Sequence, residues 1–282
     1  MESAETWVRD RTDGAVLGPK SERVVHLLAT QAEFTSFASA SAVAGRAGVD
    51  AATVVRTARA LGFSGWPDLR LELRNRYLSS LRANEVLNEH EGAASDPILH
   101  ALRSDVDNVT LAIRTIDVAQ VRAIAAAIAG ARRTVVIASG SFLGPAHHLV
   151  HSAGFMGLDV EFGIRGGTTL VNTLTRLGPG DCLVAINFWR LPREIRDATE
   201  IAGVAGATTC VLTDLRRSAL TELADHVVTV PCEGTSHFPS LTASMAVVHA
   251  ILAEITRTLG DQARDAMRAT EDLWQRMNLM CD

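Results

Sequence analysis

The chain has 282 residues, a net charge of −5, 47% hydrophobic residues and 21% charged residues. This length suits one or two domains of about 100–200 residues each, and the composition can supply sizeable cores. No apolar run approaches the roughly 18 residues of a membrane span, and the polar N-terminus does not resemble a signal peptide. We therefore expect a cytoplasmic protein with no membrane partner. The four cysteines lack metal-binding spacing, which fits a reduced setting, and no cofactor is expected.

The positive charge is concentrated near the N-terminus. Residues 40–82 contain 7 Lys and Arg against 3 Asp and Glu, a balance of +4, whereas residues 83–282 contain 16 against 23, a balance of −7. Such an asymmetry is typical of a small DNA-binding domain joined to a larger sensor, although a positive helical segment is also common as a solvated surface.

The first part of the chain is predicted to build a small helical core. Residues 1–19 are expected to be irregular or loosely helical, and an amphipathic helix is predicted over residues 21–31. Phe34 and Phe37 are expected to cap this core.

A helix-turn-helix pattern follows. A short Ala-rich helix is predicted over Ala40–Ala47, and Gly48 supplies the turn because glycine takes a left-handed conformation without steric cost. Asp50 is a strong N-cap for the second helix, Ala51–Leu61, since its carboxylate can accept an orphan backbone N–H. Gly62 stands where a left-handed residue ends a helix. Two short helices joined by a glycine turn are the signature of a helix-turn-helix.

The second helix carries the residues expected to contact DNA. Its inward stripe is predicted to comprise Val54, Val55, Ala58 and Leu61. Its outward or partly outward face is predicted to comprise Ala51, Thr53, Arg56, Thr57 and Arg59. Small residues, hydroxyls and arginines suit a major groove, and an ordinary surface helix with solvated arginines is the alternative. The candidate DNA-binding residues are Asp50, Ala51, Thr53, Val54, Arg56, Thr57 and Arg59.

A longer helix is predicted over residues 68–87, with Pro67 at its start. Arg70, Arg74 and Arg76 on this helix either reach DNA phosphates or form ordinary surface charge.

A polar stretch with Gly and Ser predicts a linker at residues 91–96. This linker would separate a helix-turn-helix DNA-binding domain of residues 1–90 from a ligand-sensing and oligomerisation domain of residues 97–282.

The second domain is predicted to be an α/β fold. Helices over residues 97–115 and 118–129 precede apolar strands that alternate with helices, which is typical of a parallel sheet covered on both faces. The strands are predicted over Thr134–Ser139, Leu158–Phe162, Asp181–Asn187, Thr208–Leu212 and Val227–Val230. The later helices are predicted to end near 156, to begin at 168, and to span 192–204, 218–224 and 238–259, before a polar C-terminal helix. The expected fold is an all-α N-terminal helix-turn-helix domain plus a three-layer α/β domain with a five-stranded parallel sheet.

Polar loops follow several of these strands. Ligands bind beyond the carboxyl ends of parallel strands, where helix N-termini and free N–H groups suit phosphate or carboxylate. Arg190 and Arg193 add positive charge for an anion. Each serine in these loops is also suited to simple N-capping. The candidate ligand-binding residues are Ser139, Gly140, Ser141, Asn187, Arg190, Arg193, Thr213, Asp214, Ser218 and His237.

A metal site is not predicted. His147 and His151 have the i, i+4 spacing of a metal pair, but no obvious carboxylate or cysteine accompanies them. Glu233 and His237 either line the ligand pocket or form a cluster at a helix start.

The chain resembles RpiR-type bacterial transcriptional regulators, in which a helix-turn-helix precedes a sugar isomerase (SIS) domain. The N-terminal motif GVDAATVVRTARALGFSGWPDLRLEL resembles the family pattern, and VVIASGS, RLGPGDCLVAIN, AGVAGATTCVLTD and SALTELADHVVTVP resemble the SIS domain. Together the similarity covers most of residues 20–255. The resemblance implies a homodimer or homotetramer that binds double-stranded operator DNA. It also implies a sensor domain that binds a phosphorylated sugar without catalysis.

One loop departs from the family pattern. The family usually has Ser-x-Ser-Gly-x-Thr after the third strand, whereas this chain has Asn187 to Pro192, without the hydroxyls and the glycine. The effector is therefore expected to be a small anionic metabolite, either a sugar phosphate or another phosphate or carboxylate, unless Trp189 partly fills the pocket.

Two other functions compete with a ligand-responsive regulator. A sugar-phosphate isomerase of SIS fold would need a positioned acid or base, for which Glu194, Glu233 and His237 are the candidates. A structural DNA-binding protein with a vestigial sensor would fit the altered loop.

Overall fold

The computed structural model describes residues 4–12, 17–90, 96–163 and 166–279, apart from the side chains of Ala4, Ala83 and His90. Its contacts divide the chain into two compact units, residues 1–95 (unit 1) and 96–282 (unit 2). Most of the predicted linker, residues 91–95, lies outside the described residues, as does Cys281.

Unit 1 is all-helical in its described residues. Its helices are α1 (Ala4–Thr12), α2 (Pro19–Thr30), α3 (Ala32–Phe37), α4 (Ala40–Ala47), α5 (Ala51–Ala60), α6 (Trp66–Ser80) and α7 (Ala83–His90). The core contains Val24 and Leu28 from α2, Val54 from α5, and Leu69 and Leu73 from α6, all fully buried.

Two expectations for unit 1 need correction. Of the two forms expected for the first residues, Ala4–Thr12 takes the helical one, but this helix is packed rather than loose, because it buries Trp7 and Val8 in the core. The helix predicted over residues 68–87 breaks after Ser80, where the Ser80 hydroxyl bonds back to the Tyr77 carbonyl and the next helix starts anew at residue 83.

Arg76 is also misassigned, both as a phosphate contact and as surface charge. Its side chain is 6% exposed and pairs with Glu72 at 2.9 Å on the adjacent turn of α6. Its guanidinium also lies 4.4 Å from the ring centroid of Trp7. Burial of both charged partners is possible because the pair is hydrogen-bonded and covered by an aromatic ring.

Unit 2 contains the α/β fold that was predicted. Its helices are α8 (Pro97–Thr115), α9 (Val118–Gly130), α10 (Leu143–Phe155), α11 (Thr168–Leu174), α12 (Arg193–Val204), α13 (Thr242–Leu259) and α14 (Asp261–Arg276). Its strands are β1 (Thr134–Ala138), β2 (Val160–Phe162), β3 (Cys182–Ile186), β4 (Thr208–Thr213) and β5 (His226–Thr229). The strands form one parallel sheet in the order β2-β1-β3-β4-β5.

Alternate residues of the central strands pack into two different cores. On β3, Val184 and Ile186 face the core that includes α9, α10 and α13, whereas Leu183 and Ala185 face the core that includes α11 and α12. This period-two division of a continuous apolar run creates the three layers.

Two predicted helices of unit 2 are shorter than expected. Only a 3₁₀ turn, Thr221–Leu223, occupies the segment predicted to be helical over 218–224. The long helix begins at Thr242 rather than at 238, because the hydroxyls of Ser240 and Thr242 donate to the Asp105 carboxylate and hold the preceding segment irregular. Among the described residues, no helix combines the length and apolarity needed to cross a membrane.

Candidate DNA-binding face and ligand site

The turn between α4 and α5 has the predicted geometry. Gly48 adopts φ 64°, in the left-handed region, and the Val49 N–H donates to the Ala44 carbonyl at 2.9 Å. Such a bond closes a helix C-terminus and requires a left-handed residue, which glycine adopts without strain. This closure sets the start of α5.

Asp50 caps α5 as predicted. One carboxylate oxygen accepts the Thr53 N–H at 2.8 Å and the other accepts the Thr53 hydroxyl at 2.8 Å. These hydrogen bonds, with that of the Thr53 hydroxyl contributing most, lower the pKa of Asp50 below its ordinary value. The carboxylate therefore stays ionised at neutral pH and fixes the first turn of α5.

The outward assignment of both threonines on α5 was wrong. Thr53 is 2% exposed and Thr57 is fully buried, as is Val54 among the candidate DNA contacts. The Thr57 hydroxyl donates to the Thr53 carbonyl at 2.8 Å, so its polar group is satisfied within the helix and can enter the core. A threonine on a helix can therefore face inward, because its hydroxyl can donate to the carbonyl four residues earlier.

The exposed face of α5 is therefore narrower than the sequence indicated. Ala52, Arg56, Arg59 and Ala60 are exposed, and Val55 beside them is half-buried. Arg56 donates to the Thr53 hydroxyl at 2.7 Å, and Arg59 donates to the Ser64 carbonyl at 3.3 Å. The spacing places small residues and two arginines on one side of the helix. We call these five residues the α5 face.

A second polar site lies where β3 and β4 end, which we call the carboxyl edge. Asn187 is 3% exposed, and its Nδ2 donates to the Arg190 carbonyl at 3.3 Å. Its Oδ1 is buried and has no hydrogen-bond partner among the described residues. A buried acceptor without a donor carries a cost of about 1–3 kcal/mol, which a ligand hydroxyl or amine can remove.

Asp214 connects the loops that follow β3 and β4. The carboxylate is 4% exposed and accepts the Trp189 N–H at 3.0 Å. Trp189 adopts φ 63°, a left-handed conformation that is rare for a bulky residue. The bond to Asp214 helps to hold this conformation, so Asp214 positions the altered loop.

Phe188 fills the interior beneath this loop. It is fully buried, and its ring packs edge-to-face on Phe142 at a centroid distance of 5.5 Å. Trp189 is instead half-buried, with the Arg190 guanidinium 4.6 Å from its ring centroid. Phe188, rather than Trp189, is therefore the aromatic side chain that fills the interior beneath this loop.

Cys232 was missed as a neighbour of this site. Burial, with the charge and hydrogen bond of Asp214 as further causes, raises the pKa of the Cys232 thiol well above its ordinary value. The thiol therefore stays protonated and shares the buried environment of Asp214. No local sequence signal announces this contact, because the two residues follow different strands.

The other ligand-binding candidates lie at or after the carboxyl ends of β1, β3, β4 and β5. Ser218 accepts the N–H groups of Leu220 and Thr221 at 3.3 Å each, so it acts as the cap that the alternative interpretation expected. His237 packs on Phe238 within its own segment. The remaining candidates divide into half-buried Ser139, exposed Gly140, Ser141, Arg190 and Arg193, and buried Thr213.

Glu194 has a structural contact at α11. Its carboxylate accepts the Gly167 N–H at 2.9 Å, at the start of that helix. Among the histidines, His147 packs on Phe162 and His148 on His249. Within the described residues, no group of three or more His, Cys, Asp or Glu side chains is arranged to hold a metal ion.

Comparisons with known proteins agree with both units. Residues 14–80 match the family described as the helix-turn-helix domain of the rpiR family. An HTH-type transcriptional regulator of Haemophilus influenzae, itself described as uncharacterized, is 27% identical over 214 residues, or 74% of each chain.

Two solved structures extend the similarity to unit 2. The sugar isomerase domain of the RpiR transcription factor from Sphaerobacter thermophilus is 28% identical, with a TM-score of 0.59, over 62% of this chain and 97% of that one. The Vibrio vulnificus NanR protein, complexed with ManNAc-6P, matches 99% of this chain and 100% of its own with a TM-score of 0.62. At 18% identity, the second likeness shows the fold alone.

The helix-turn-helix of unit 1 and the parallel sheet of unit 2 define a transcriptional regulator with a ligand-sensing domain of SIS type. Within this class, residues 14–80 carry the helix-turn-helix domain of the rpiR family, and unit 2 is similar to the sugar isomerase domain of an RpiR transcription factor.

Proposed function

We propose that this regulator binds operator DNA through the α5 face and senses a small anionic metabolite at the carboxyl edge. We further propose that it acts in the cytoplasm as a homodimer or homotetramer and does not catalyse a reaction. The DNA part is supported by the helix-turn-helix family match and by the exposed arginines of α5.

The composition of the α5 face supports entry into a major groove. Ala52 and Val55 are small enough for close approach to base edges, and Arg56 and Arg59 carry the donors that pair with guanine or phosphate. Arg56 lies 3.6 Å from the Asp50 carboxylate, and an exposed pair of this kind contributes little stability. Arg56 can therefore exchange this contact for DNA at low cost.

The unpartnered Oδ1 of Asn187 is the observation that carries the ligand site. It calls for a ligand with a hydroxyl or amine donor, while Arg190 and Arg193 supply charge for an anionic group on the same molecule. A hydroxylated anion such as a sugar phosphate or a sugar acid has both properties. The Vibrio vulnificus relative, complexed with ManNAc-6P, lends support to this class.

The contacts of two of the three acid–base candidates favour sensing over catalysis. The Glu194 carboxylate accepts a backbone N–H, and the His237 ring lies on Phe238. An isomerase needs such a group free to move a proton at the substrate. The alternative, a sugar-phosphate isomerase, predicts turnover of the ligand that stabilises the protein.

A thermal-shift screen tests the ligand class. We expect a hexose 6-phosphate or sugar acid at 100 times its Kd to stabilise unit 2 by about 2.7 kcal/mol, which corresponds to roughly 5–10 °C. The double variant Arg190→Ala/Arg193→Ala should lose the response, and so should Asn187→Leu. Arg268→Ala, on the exposed surface of α14, is the matched charge control and should respond like the wild type.

Two outcomes would contradict this assignment. A hexose phosphate response that survives the double arginine variant would exclude the altered loop as the anion site. Conversion of the stabilising ligand to a new product would favour the isomerase.

A further inference from the structure

An apolar stripe on α8 faces solvent. Five side chains on one side of this helix are each exposed over 46–76% of their surface. They are Ile98, Leu99, Leu102, Val106 and Ile113, and we call them the α8 stripe. Helical spacing places them on a single face, and contiguous exposed apolar surface of this kind marks interaction sites on globular proteins.

The opposite face of α8 is committed to the interior of unit 2. Asn108, about 200° around the helix from Val106, donates to the Glu233 carbonyl at 2.7 Å and accepts the Glu233 N–H at 3.2 Å. On the flank of the helix, about 100° from Val106, Asp105 accepts the hydroxyls of Ser240 and Thr242. Since these bonds fix the orientation of α8, the stripe cannot turn inward and needs a second surface to cover it.

We propose that the α8 stripe is the interface between two copies of this chain, with their α8 helices packed antiparallel about a two-fold axis at Val106. In this arrangement the two Val106 side chains meet on the axis. Leu99 of each copy faces Ile113 of the other, and Leu102 faces Thr110. Leu99, Val106 and Ile113 repeat at seven residues, which is the spacing of helices that pack along a seam.

The charges beside the stripe suit the same arrangement. Arg103 and Asp107 are exposed on the same flank of α8, one before and one after Val106 along the chain. A two-fold axis brings this flank against its copy, so that each Arg103 comes near the Asp107 of the other chain. Two symmetric pairs of opposite charge then border the apolar contact, as expected of an isologous interface.

The apolar area of the stripe suits a dimer interface. Full burial of an aliphatic side chain corresponds to about 60–120 Å², so at the exposures given above the five side chains offer roughly 200–400 Å² per copy. A standard interface buries about 800 Å² per partner, of which about 450 Å² is nonpolar. The α8 stripe alone thus supplies a large part of the nonpolar area.

The interface would also be connected to the ligand site. Cys232, which contacts Asp214 at the carboxyl edge, precedes Glu233, the residue that Asn108 of α8 binds. A ligand that moves Asp214 would act on the helix that carries the interface. This consequence rests on the proposed sensing function, whereas the interface itself does not.

Opposite charges at position 106 test the two-fold axis. Val106→Asp and Val106→Arg should each halve the solution mass measured by light scattering, because like charges would face each other on the axis. Co-expression of the two variants should restore the wild-type mass as a one-to-one heterodimer. Val204, 86% exposed on α12, is the matched control, and Val204→Asp and Val204→Arg should keep the wild-type mass.

The outcomes separate this proposal from other assemblies. A monomeric wild type, unchanged mass in either Val106 variant, or failure of the co-expressed pair to recover would overturn it. A change from tetramer to dimer in the Val106 variants would support it, because one of two interfaces would then be lost. The measurement needs neither DNA nor effector, and Arg56→Ala should leave the mass unchanged, so failure of DNA binding would be seen separately.

Discussion

The turn between α4 and α5 is stabilised by contacts between residues close in sequence, whereas the carboxyl edge is stabilised by contacts between residues far apart in sequence. At the turn, Asp50 binds Thr53 and Arg56 binds Thr53, each across three residues. At the carboxyl edge, the bond from Trp189 to Asp214 spans 25 residues. The turn is therefore defined by its own short sequence, whereas the edge exists only once the sheet has assembled.

The two proposed functional surfaces should therefore respond differently to mutation. The α5 face uses exposed side chains on a locally capped helix, so single changes there should alter DNA binding with little effect on the fold. The carboxyl edge uses buried groups shared between strands, so changes there should affect folding and ligand response together.

The largest expected effect is that of Phe188→Ala. Removal of this fully buried ring from beneath the altered loop should destabilise unit 2 by about 3–5 kcal/mol through lost burial and a cavity. Chemical denaturation measures this loss. Phe238→Ala, at a side chain that is 63% exposed, is the control and should change stability by less than about 0.5 kcal/mol. Equal stability of the two variants would mean that Phe188 does not support the edge.

Thr57→Val tests the corrected α5 face. The change should lower the free energy of unfolding of unit 1 by about 0.5–1.5 kcal/mol, because it removes the hydroxyl that donates to the Thr53 carbonyl. DNA affinity measured on the folded variant should stay within twofold of the wild type, since the side chain is fully buried. A loss of affinity without a loss of stability would return Thr57 to the DNA-binding surface.

The range of the contacts also explains how much the sequence could predict. The Gly48 turn and the Asp50 cap could be predicted because they depend on neighbours within five residues. The five-stranded sheet could be predicted because each apolar run marks its own strand. The burial of Thr57 could not be, since its helical position alone does not reveal how its hydroxyl is satisfied.

The carboxyl edge was predictable only in outline. That polar loops would meet at the strand ends follows from parallel topology. The role of Asp214 as the acceptor for Trp189, and the contact of Cys232 with Asp214, depend on how separate loops fold over one another. Arg76 in unit 1 shows the same limit. Its guanidinium lies on the Trp7 ring and is buried with Glu72, and this requires the packing of α1 on α6.

The smallest expected effect is that of Asp50→Asn at the N-cap of α5. Asp50→Ala should lower the midpoint of thermal unfolding, whereas Asp50→Asn should nearly retain it, because asparagine is an equally good N-cap. The pKa of Asp50 is lowered on folding, so its ionised form stabilises the turn above the unfolded pKa, and this contribution is lost as pH falls through the folded pKa. Acid titration of unit 1 stability should therefore be flatter for Asp50→Asn. Identical titration of both proteins would show that ionised Asp50 has no special role.

Binding of the wild type and of Arg56→Ala to DNA from upstream of its own gene tests the central claim most directly. Fluorescence anisotropy at fixed salt gives the two Kd values, with Arg9→Ala as a control that removes one exposed positive charge from α1. Loss of an arginine contact is worth about 1–3 kcal/mol, so Arg56→Ala should weaken binding by roughly 5- to 150-fold, and Arg9→Ala by less than twofold. Equal affinity of Arg56→Ala and the wild type would contradict the assignment of the α5 face as the DNA-binding surface.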